Sequence, residues 1–580
     1  MPIRYFSTAL IPLLFSPLLS AQPPADSPVF NTATRVVNVN VVAKDKHGKP
    51  VDDLKRGDFV LRDNGQEQKI ALFALEDARL PPGNGPASAP MTFTNRPALG
   101  SAHVTAFLFD ELNTQVSDQQ LAKKELLRHL KSLSANERVA VFVLGDSLTL
   151  LHDFSQDTAA LLTALNGHAN RVSPEAAASA APQASSNSLT GDSDTTAQWD
   201  GFLQSSNQAY INYTQTVRAL RTAAALQSIA EHLQGIPGRK TLIWISSGFP
   251  IQLGLRAGGE NIAQSNPNNR DSGGAGGHGR GGGGGRSTGS TGGARRSGGG
   301  SANSNSNSSS SNSQASELPG TGESYETEVE RAIRALNEAD VAVYPVNARG
   351  LTTAAPFGAD RASFGNKNKA PTGGPAVDYG YETMEGLAQE TGGRAYHNIN
   401  DLNSAIQDAE GDARVSYSLA FYLSDARLDD SYHRLQVEVK RPGVSVRYRP
   451  GYLATKQNAM APSLADAVVN PVNVTGIGFT AHLDPVDGGY KLSVNVDSRN
   501  LTIDQKDGKW TGMLQFLVVV GKVEQLTTVP LSFTEDVYHR IQNQGLTLGA
   551  RVKTPPGTTG FSLGFRDIPS GQVGTLHVFL

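Results

Sequence analysis

The sequence predicts an α/β chain: a mostly parallel sheet covered by helices, inserted in or flanked by β-sandwich modules, with an all-β domain at the C-terminus. Three observations predict it. Between residues 103 and 414, continuous apolar runs alternate with amphipathic stretches of helical period, the order that builds parallel sheets covered on both faces. Residues 34–75 and 415–452 alternate at period two, the mark of half-buried strands. Residues 469–580 alternate again at short spacing with turns between, as a β-sandwich does.

Residues 1–21 read as an export signal. Arg4 supplies the positive start, "ALIPLLFSPLLSA" an apolar core too short to span a bilayer as an ordinary helix, and Ser20-Ala21 a cleavage site of small residues. No cysteine follows that would carry a lipid anchor, and no later run is long enough for a transmembrane helix. The mature chain is expected to be secreted or to lie in the periplasm or cell envelope. "RVVNVNVVAKD" is then a strand, and "DFVLRDNGQEQKIALFAL" is two strands about Asn64-Gly65, a strong hairpin signal. Residues 80–100 form a Pro/Gly-rich connector.

"HVTAFLFD", "RVAVFVLGD", "KTLIWISSG" and "VAVYPVNA" are buried-type strands, and "LTLLHDF" is an edge strand. Between them, "SDQQLAKKELLRHLKSL" is a helix capped by Ser117, and "TQTVRALRTAAALQSIAEHLQGI" is a long helix ended by Gly235 and Pro237. "YETEVERAIRALNEAD", "YETMEGLAQETGG" and "DLNSAIQDAEGDA" are the later helices, with "RAYHN" a short strand. Three insertions, 167–209, 252–322 and 350–380, are rich in Ala, Ser, Asn, Gly and Pro and are expected to be disordered. The strands of 34–75 and of 415–452 are each too few for a sandwich, so the two modules are expected to pair with each other around the inserted α/β unit.

Several classes are excluded. A net charge of −3 over 580 residues gives no reason to expect nucleic acid as a partner. The glycine-rich "GRGGGGGR" and "ARRSGGG" lack the aromatic residues that stack on bases and read as linker. The absence of cysteine removes disulfides, thiolate metal sites and cysteine nucleophiles. No phosphate-binding glycine loop follows the first buried strand, and the 12 histidines show no metal-ligand spacing. Two serine motifs remain. "GDSL" at 145–148 has the letters of an esterase signature, with Asp430 and His433 as its D-x-x-H, but it follows the second strand and not the first. "GFSLG" at 560–564 matches G-x-S-x-G around Ser562, but no helix follows it.

Together "DKHGKPVDDLKRGDFVLRDNGQEQKI", "FLFDELNT", "GRKTLIWISSGFP", "LAQETGGRAYHN" and "YRPGY", in that order over residues 34–452, resemble the bacterial VWFA-related proteins of the von Willebrand factor type A superfamily. The resemblance implies a Rossmann-like domain at 103–414 and a Mg²⁺ or Mn²⁺ site built from a D-x-S-x-S motif, a loop threonine and a later aspartate. Carried over, Asp110 matches the first aspartate and Thr114 replaces the second serine. The loop threonine is Thr214 or Thr216. Leu112 stands where the first serine belongs, and Ser247 where the last aspartate belongs. The implied metal site, Asp110, Thr114 and Thr216, is therefore degenerate. One anion holds a hard dication weakly. Asp110 is instead expected to accept hydrogen bonds from Asn113 and Thr114 or from Ser246 and Ser247, and Glu111 to point away from it. The function implied is that of a non-enzymatic, exported protein-binding or adhesion module without a required cofactor. An unidentified protein would meet Asp110, Glu111, Asn113, Thr114, Thr214–Thr216, Ser246 and Ser247. The alternatives are an exported serine hydrolase using Ser147 or Ser562 and a structural protein with no specific ligand.

Overall fold

In the computed structural model, residues 35–77, 91–96, 104–133, 138–155, 158–169, 194–250, 322–348, 379–397, 401–423, 428–454 and 463–580 are described. The first strands are β1 (Arg35–Asp45), β2 (Phe59–Asp63), β3 (Gln66–Gln68), β4 (Leu72–Asp77) and β5 (Thr92–Thr94). Then follow β6 (Val104–Asp110), α1 (Val116–Leu130), β7 (Arg138–Leu144), β8 (Leu148–Ser155), α2 (Thr158–Gly167), α3 (Asp194–Leu233), β9 (Lys240–Ser246), α4 (Gly322–Glu338), β10 (Val341–Asn347), α5 (Tyr379–Glu390) and α6 (Leu402–Arg414). The chain continues through β11 (Val415–Leu423), β12 (Tyr432–Val439), β13 (Val444–Arg447), β14 (Gly451–Leu453) and α7 (Leu464–Val469). It ends with β15 (Phe479–Val486), β16 (Gly489–Val496), β17 (Asp504–Lys506), β18 (Lys509–Val520), β19 (Val523–Phe533), α8 (Glu535–Gln544), β20 (Leu546–Lys553), β21 (Gly560–Asp567) and β22 (Val573–Phe579).

Strands from both sides of the central unit share two four-stranded sheets, ordered β13-β1-β11-β4 and β14-β12-β2-β3. Every second residue of β1 faces inward, so Val37, Val39 and Val41 meet Phe421, Leu419 and Tyr417 across an antiparallel ladder. Phe59 and Leu61 of β2 close the same core against Leu435 and Val437 of β12.

The central sheet runs β10-β9-β6-β7-β8. Its first four strands are parallel, and β8 lies antiparallel on the edge. Strands β6, β9 and β10 are buried along their whole length because helices cover both faces. One face packs Ala106, Leu108 and Trp244 against α3, α4 and α5 through Leu226, Ile229, Leu336 and Leu387. The other packs Phe107, Ile243 and Tyr344 against α1, α2 and α6 through Leu126, Leu165 and Ile406. The C-terminal body sets β20-β16-β15-β5 against β17-β18-β21-β22, with β19 on β18. Phe479 and Phe565 meet at its centre with ring centroids 4.9 Å apart.

The expected α/β class is corrected by this arrangement. Among the described residues 22 strands stand beside eight helices, and four of the five sheets are antiparallel. Parallel pairing is confined to the one central sheet, which supplies only five strands, so the chain is mainly β and no Rossmann-like sheet dominates it. The continuous apolar runs read loudly in sequence because both their faces are covered. The period-two segments are quieter and more numerous.

Two segments also differ from expectation. Residues 194–209, placed in a disordered insertion, form the start of α3. The packed half of that helix, from Thr214 on, supplies the nucleus that the polar half extends at little further cost. Residues 92–94, placed in the connector, form β5 and pair with β15 of the C-terminal body. The export signal at 1–21 and most of the three insertions lie outside the described residues.

The end of α3 is the joint to the C-terminal body. Thr475 Oγ1 donates to His232 O at 2.8 Å and accepts from Gly235 N at 2.7 Å, and Asn470 Nδ2 donates to Glu231 at 3.1 Å. A Cβ on Gly235 would stand 2.4 Å from Thr475 O, so the backbones must part. Gly235→Ala is therefore expected to destabilise the joint by about 2 kcal/mol. Faster amide exchange at 472–478, with β18 and β21 unchanged, is the readout. Unchanged exchange at 472–478 would contradict the contact.

Candidate functional site

β6 ends where its alternation puts Leu108 and Asp110 on the face covered by α3, with Trp244 and Ser246 beside them on the parallel neighbour β9. Asp110 is fully buried. Its Oδ1 accepts from Asn113 N at 3.0 Å, closing a turn after the strand. Its Oδ2 accepts from Asn113 Nδ2 at 2.9 Å, Trp244 Nε1 at 3.0 Å and Ser246 Oγ at 2.9 Å. Burial raises the Asp110 pKa, and the donors of Asn113, Ser246 and Trp244 oppose that rise. Such a carboxylate costs free energy to bury and is held by the geometry of its donors.

Asn113 extends the network to α3. Its Nδ2 donates to Thr222 Oγ1 at 2.8 Å, and its Oδ1 accepts from Arg218 Nε at 3.1 Å. Thr114 Oγ1 accepts from Ser247 N at 3.1 Å, and Ser247 Oγ donates to Asp118 Oδ2 at 3.2 Å. Glu111 lies on the opposite face of β6, where its carboxylate meets His168 Nε2 at 3.0 Å. Strand β6, the turn after it, β9 and α3 are thus tied at one point.

The residues carried over for a metal are only partly together. Thr214 and Thr216 lie on α3, not in a loop, and donate to Ile211 O and Asn212 O of their own helix. Thr214, Arg218 and Thr222 share a face at spacings of four, so Thr214 sits about 6 Å along the axis from Arg218 and about 12 Å from Thr222, the two residues that reach Asn113. Thr216 lies about 9 Å along the axis from Thr222 and is turned about 120° away from it. Leu112 is buried in the apolar core. Three of the four donors on Asp110 are N–H groups, which offer no lone pair to a cation. This donor set does not fit a hard dication, which needs oxygen lone pairs where those hydrogens point. Among the described residues, no three His, Asp or Glu side chains converge as a metal-binding group. The strand-end residues expected to face a partner, Asp110, Glu111, Asn113, Thr114, Ser246 and Ser247, are all buried, at most 6% exposed, and their side chains are spent on one another and on neighbouring elements. Arg218, Thr222 and the Trp244 indole carry no motif. The signal for the first two is their common helical face with Thr214.

The serine motifs separate. Ser147 is exposed in the turn between β7 and β8, whereas His433 is buried in β12 with Nδ1 held by Asp63 at 2.9 Å. Ser562 does meet a histidine. Its Oγ lies 2.9 Å from His577 Nδ1, directly across the β21–β22 ladder, and His577 Nε2 lies 2.9 Å from Asn470 O.

No family model matches the chain, and no curated protein matches it. Solved structures similar to parts of it include two from Bacteroides. One is an aerotolerance-related membrane protein from Bacteroides fragilis NCTC 9343 with multiple mutations to serines, at 11% identity and a TM-score of 0.25 over 54% of this chain and 98% of that one. The other is the conserved hypothetical protein BatB from Bacteroides thetaiotaomicron, at 11% identity and a TM-score of 0.23 over 53% of this chain and 95% of that one.

Proposed function

We propose that the chain is an exported, non-enzymatic binding protein of the cell envelope or extracellular space, and that Asp110 locks its scaffold and does not hold a metal. The observation that carries the second part is the set of four donors on one buried carboxylate. The export reading rests on the composition of residues 1–21. Among the described residues, no helix is long and apolar enough to cross a membrane. Because the strand-end residues are enclosed, the partner meets the exposed rim just beyond them: Gln115 and Ser117 after β6, and Asp146 and Ser147 after β7. Carboxyl ends of parallel strands commonly present such a rim. A photo-crosslinker at Gln115 or Asp146 of the full exported chain is expected to yield one discrete protein adduct. The same group at Lys522, exposed on the C-terminal body, is expected to yield none. Equal yields at the three positions, or none at the rim, would contradict the assignment.

The Ser562–His577 pair favours a second reading, a serine hydrolase. With Nε2–H donated to Asn470 O, His577 Nδ1 is free to accept the serine proton, as a general base must. However, β21 is paired on both sides, with β18 and β22, so its N–H groups lie in ladders and leave no oxyanion donor beside Ser562. His577 N also donates to Asn473 Oδ1 at 2.9 Å, so the pair fastens the 470–473 segment to the sheet. The full chain is expected to show no hydrolysis of p-nitrophenyl acetate above the rate of Ser562→Ala. A rate that drops to background in Ser562→Ala would establish the hydrolase instead.

A further inference from the structure

The β-sandwich and the central sheet meet at a buried polar seam. Arg239, just before β9, donates Nη2 to Tyr344 Oη at 3.2 Å and to Gly392 O at 2.8 Å. Arg449, between β13 and β14, donates Nη1 to Asn337 O at 3.1 Å and Nη2 to Asn38 O at 2.5 Å. Asn38 Nδ2 in turn donates to Asp340 Oδ2 at 3.1 Å. Of these bonds, Arg449 Nη1 to Asn337 O and Asn38 Nδ2 to Asp340 cross between the two bodies, yet the seam leaves three polar atoms behind. Asn40 Oδ1, Arg239 Nε and Arg449 Nε have no solvent access and no protein partner. Asn40 and Arg239 are buried as residues. Arg449 is partly exposed, but its Nε is enclosed.

All three residues line one cavity of about 10 Å³, completed by Asn337, Asp340, Val341, Ala342 and Thr391. That volume is close to one water-sized sphere. Three orphaned atoms on residues that line one small pocket are hard to account for separately, since a buried polar group left unmet is costly.

We infer that this cavity is a binding site for a single ordered water, which joins β1, the β9 entry and the segment after β13 by accepting from Arg239 Nε and Arg449 Nε and donating to Asn40 Oδ1. The complementarity is complete for those atoms: two lone pairs meet two N–H groups, and one O–H meets the amide oxygen. The second hydrogen faces the remaining polar wall of Asn337, Asp340 and Thr391. Buried waters typically make about three such bonds. The rival occupant of similar chemistry is a halide held between the two guanidinium groups. A chloride is larger than a water, it would face the Asp340 carboxylate, and it would need the Asn40 amide turned to present Nδ2.

The test is a crystal structure of the full chain at a resolution that resolves water, grown in sodium bromide and recorded at the bromine edge. One peak with three contacts of about 2.7–3.2 Å and no anomalous signal is expected. A bromide peak there, or direct contacts among the three side chains that close the cavity, would overturn the proposal. A second measurement does not depend on crystals. Asn40→Leu removes the acceptor and fills the space, and amide exchange in β1 and β10 is expected to speed up about ten-fold, with β18 and β21 unaffected. Exchange in β1 and β10 equal to that of the parent chain would overturn it as well.

Discussion

A chain that begins at residue 104 is expected to aggregate. It lacks β1, β2, β4 and β5, and so strips β11 of both neighbours, β12 of β2 and β15 of β5. Tyr417, Leu419, Phe421 and Leu423, all at 0–1% exposure in the full chain, would face water. At about 2 kcal/mol for each large apolar side chain, that exposure costs on the order of 8 kcal/mol, as much as a whole domain's stability. Unpaired strands with apolar faces then seek other chains. Light scattering on the size-exclusion peak reads the outcome, and amide exchange of 415–423 locates it. A monomer whose 415–423 amides are as protected as in the full chain would show that β11 does not depend on β1 and β4.

Asp110→Ala is expected to destabilise the central body by about 3 kcal/mol. The substitution removes the shared acceptor of Asn113 Nδ2, Trp244 Nε1 and Ser246 Oγ, and each lost bond to the charged group is worth about 1.5–3 kcal/mol, although Nδ2 keeps Thr222 Oγ1 and Ser246 Oγ keeps Gly248 O. The total stays below the simple sum because the buried carboxylate, with its raised pKa, is itself costly in the parent. Asp110→Asn should lose less, since one oxygen remains to accept. Denaturant midpoints and exchange at β6 and β9 give the two values. A change under about 0.5 kcal/mol in Asp110→Ala would mean that the donors find other partners at no cost.

Much of the fold and of the strand-end network is legible in the residues, and the rest is not, for identifiable reasons. Asn64-Gly65 announces a two-residue hairpin, and both residues sit at positive φ (48° and 80°) between the paired β2 and β3. Strand alternation alone places Glu111 opposite Asp110. Asn113 and Ser246 can be read as donors to Asp110 from sequence, because short polar side chains next to a strand end have few other places to go. The Trp244 indole cannot, since an aromatic in a buried run reads as core, and only the register of β6 against β9 turns its N–H toward the carboxylate. Arg218 and Thr222 depend on how far α3 slides along the sheet, which no local pattern encodes. The three-residue β5 is too short to carry a period, and it exists because β15 offers it an edge. The fold class is misread from sequence because burial on two faces makes a strand conspicuous, while half-buried strands dilute their signal with polar residues.

The most direct test of the locking role of Asp110 is a titration of the purified full chain with Mg²⁺ and Mn²⁺, followed by calorimetric melting. A ligand at 100 times its dissociation constant adds about 2.7 kcal/mol to stability, a shift that melting resolves easily. With Asp110 occupied by Asn113, Trp244 and Ser246, millimolar metal should leave the melting temperature unchanged in the parent and in Asp110→Ala alike. A saturable rise in the parent that disappears in Asp110→Ala would show that Asp110 is a metal ligand and contradict its role as a lock.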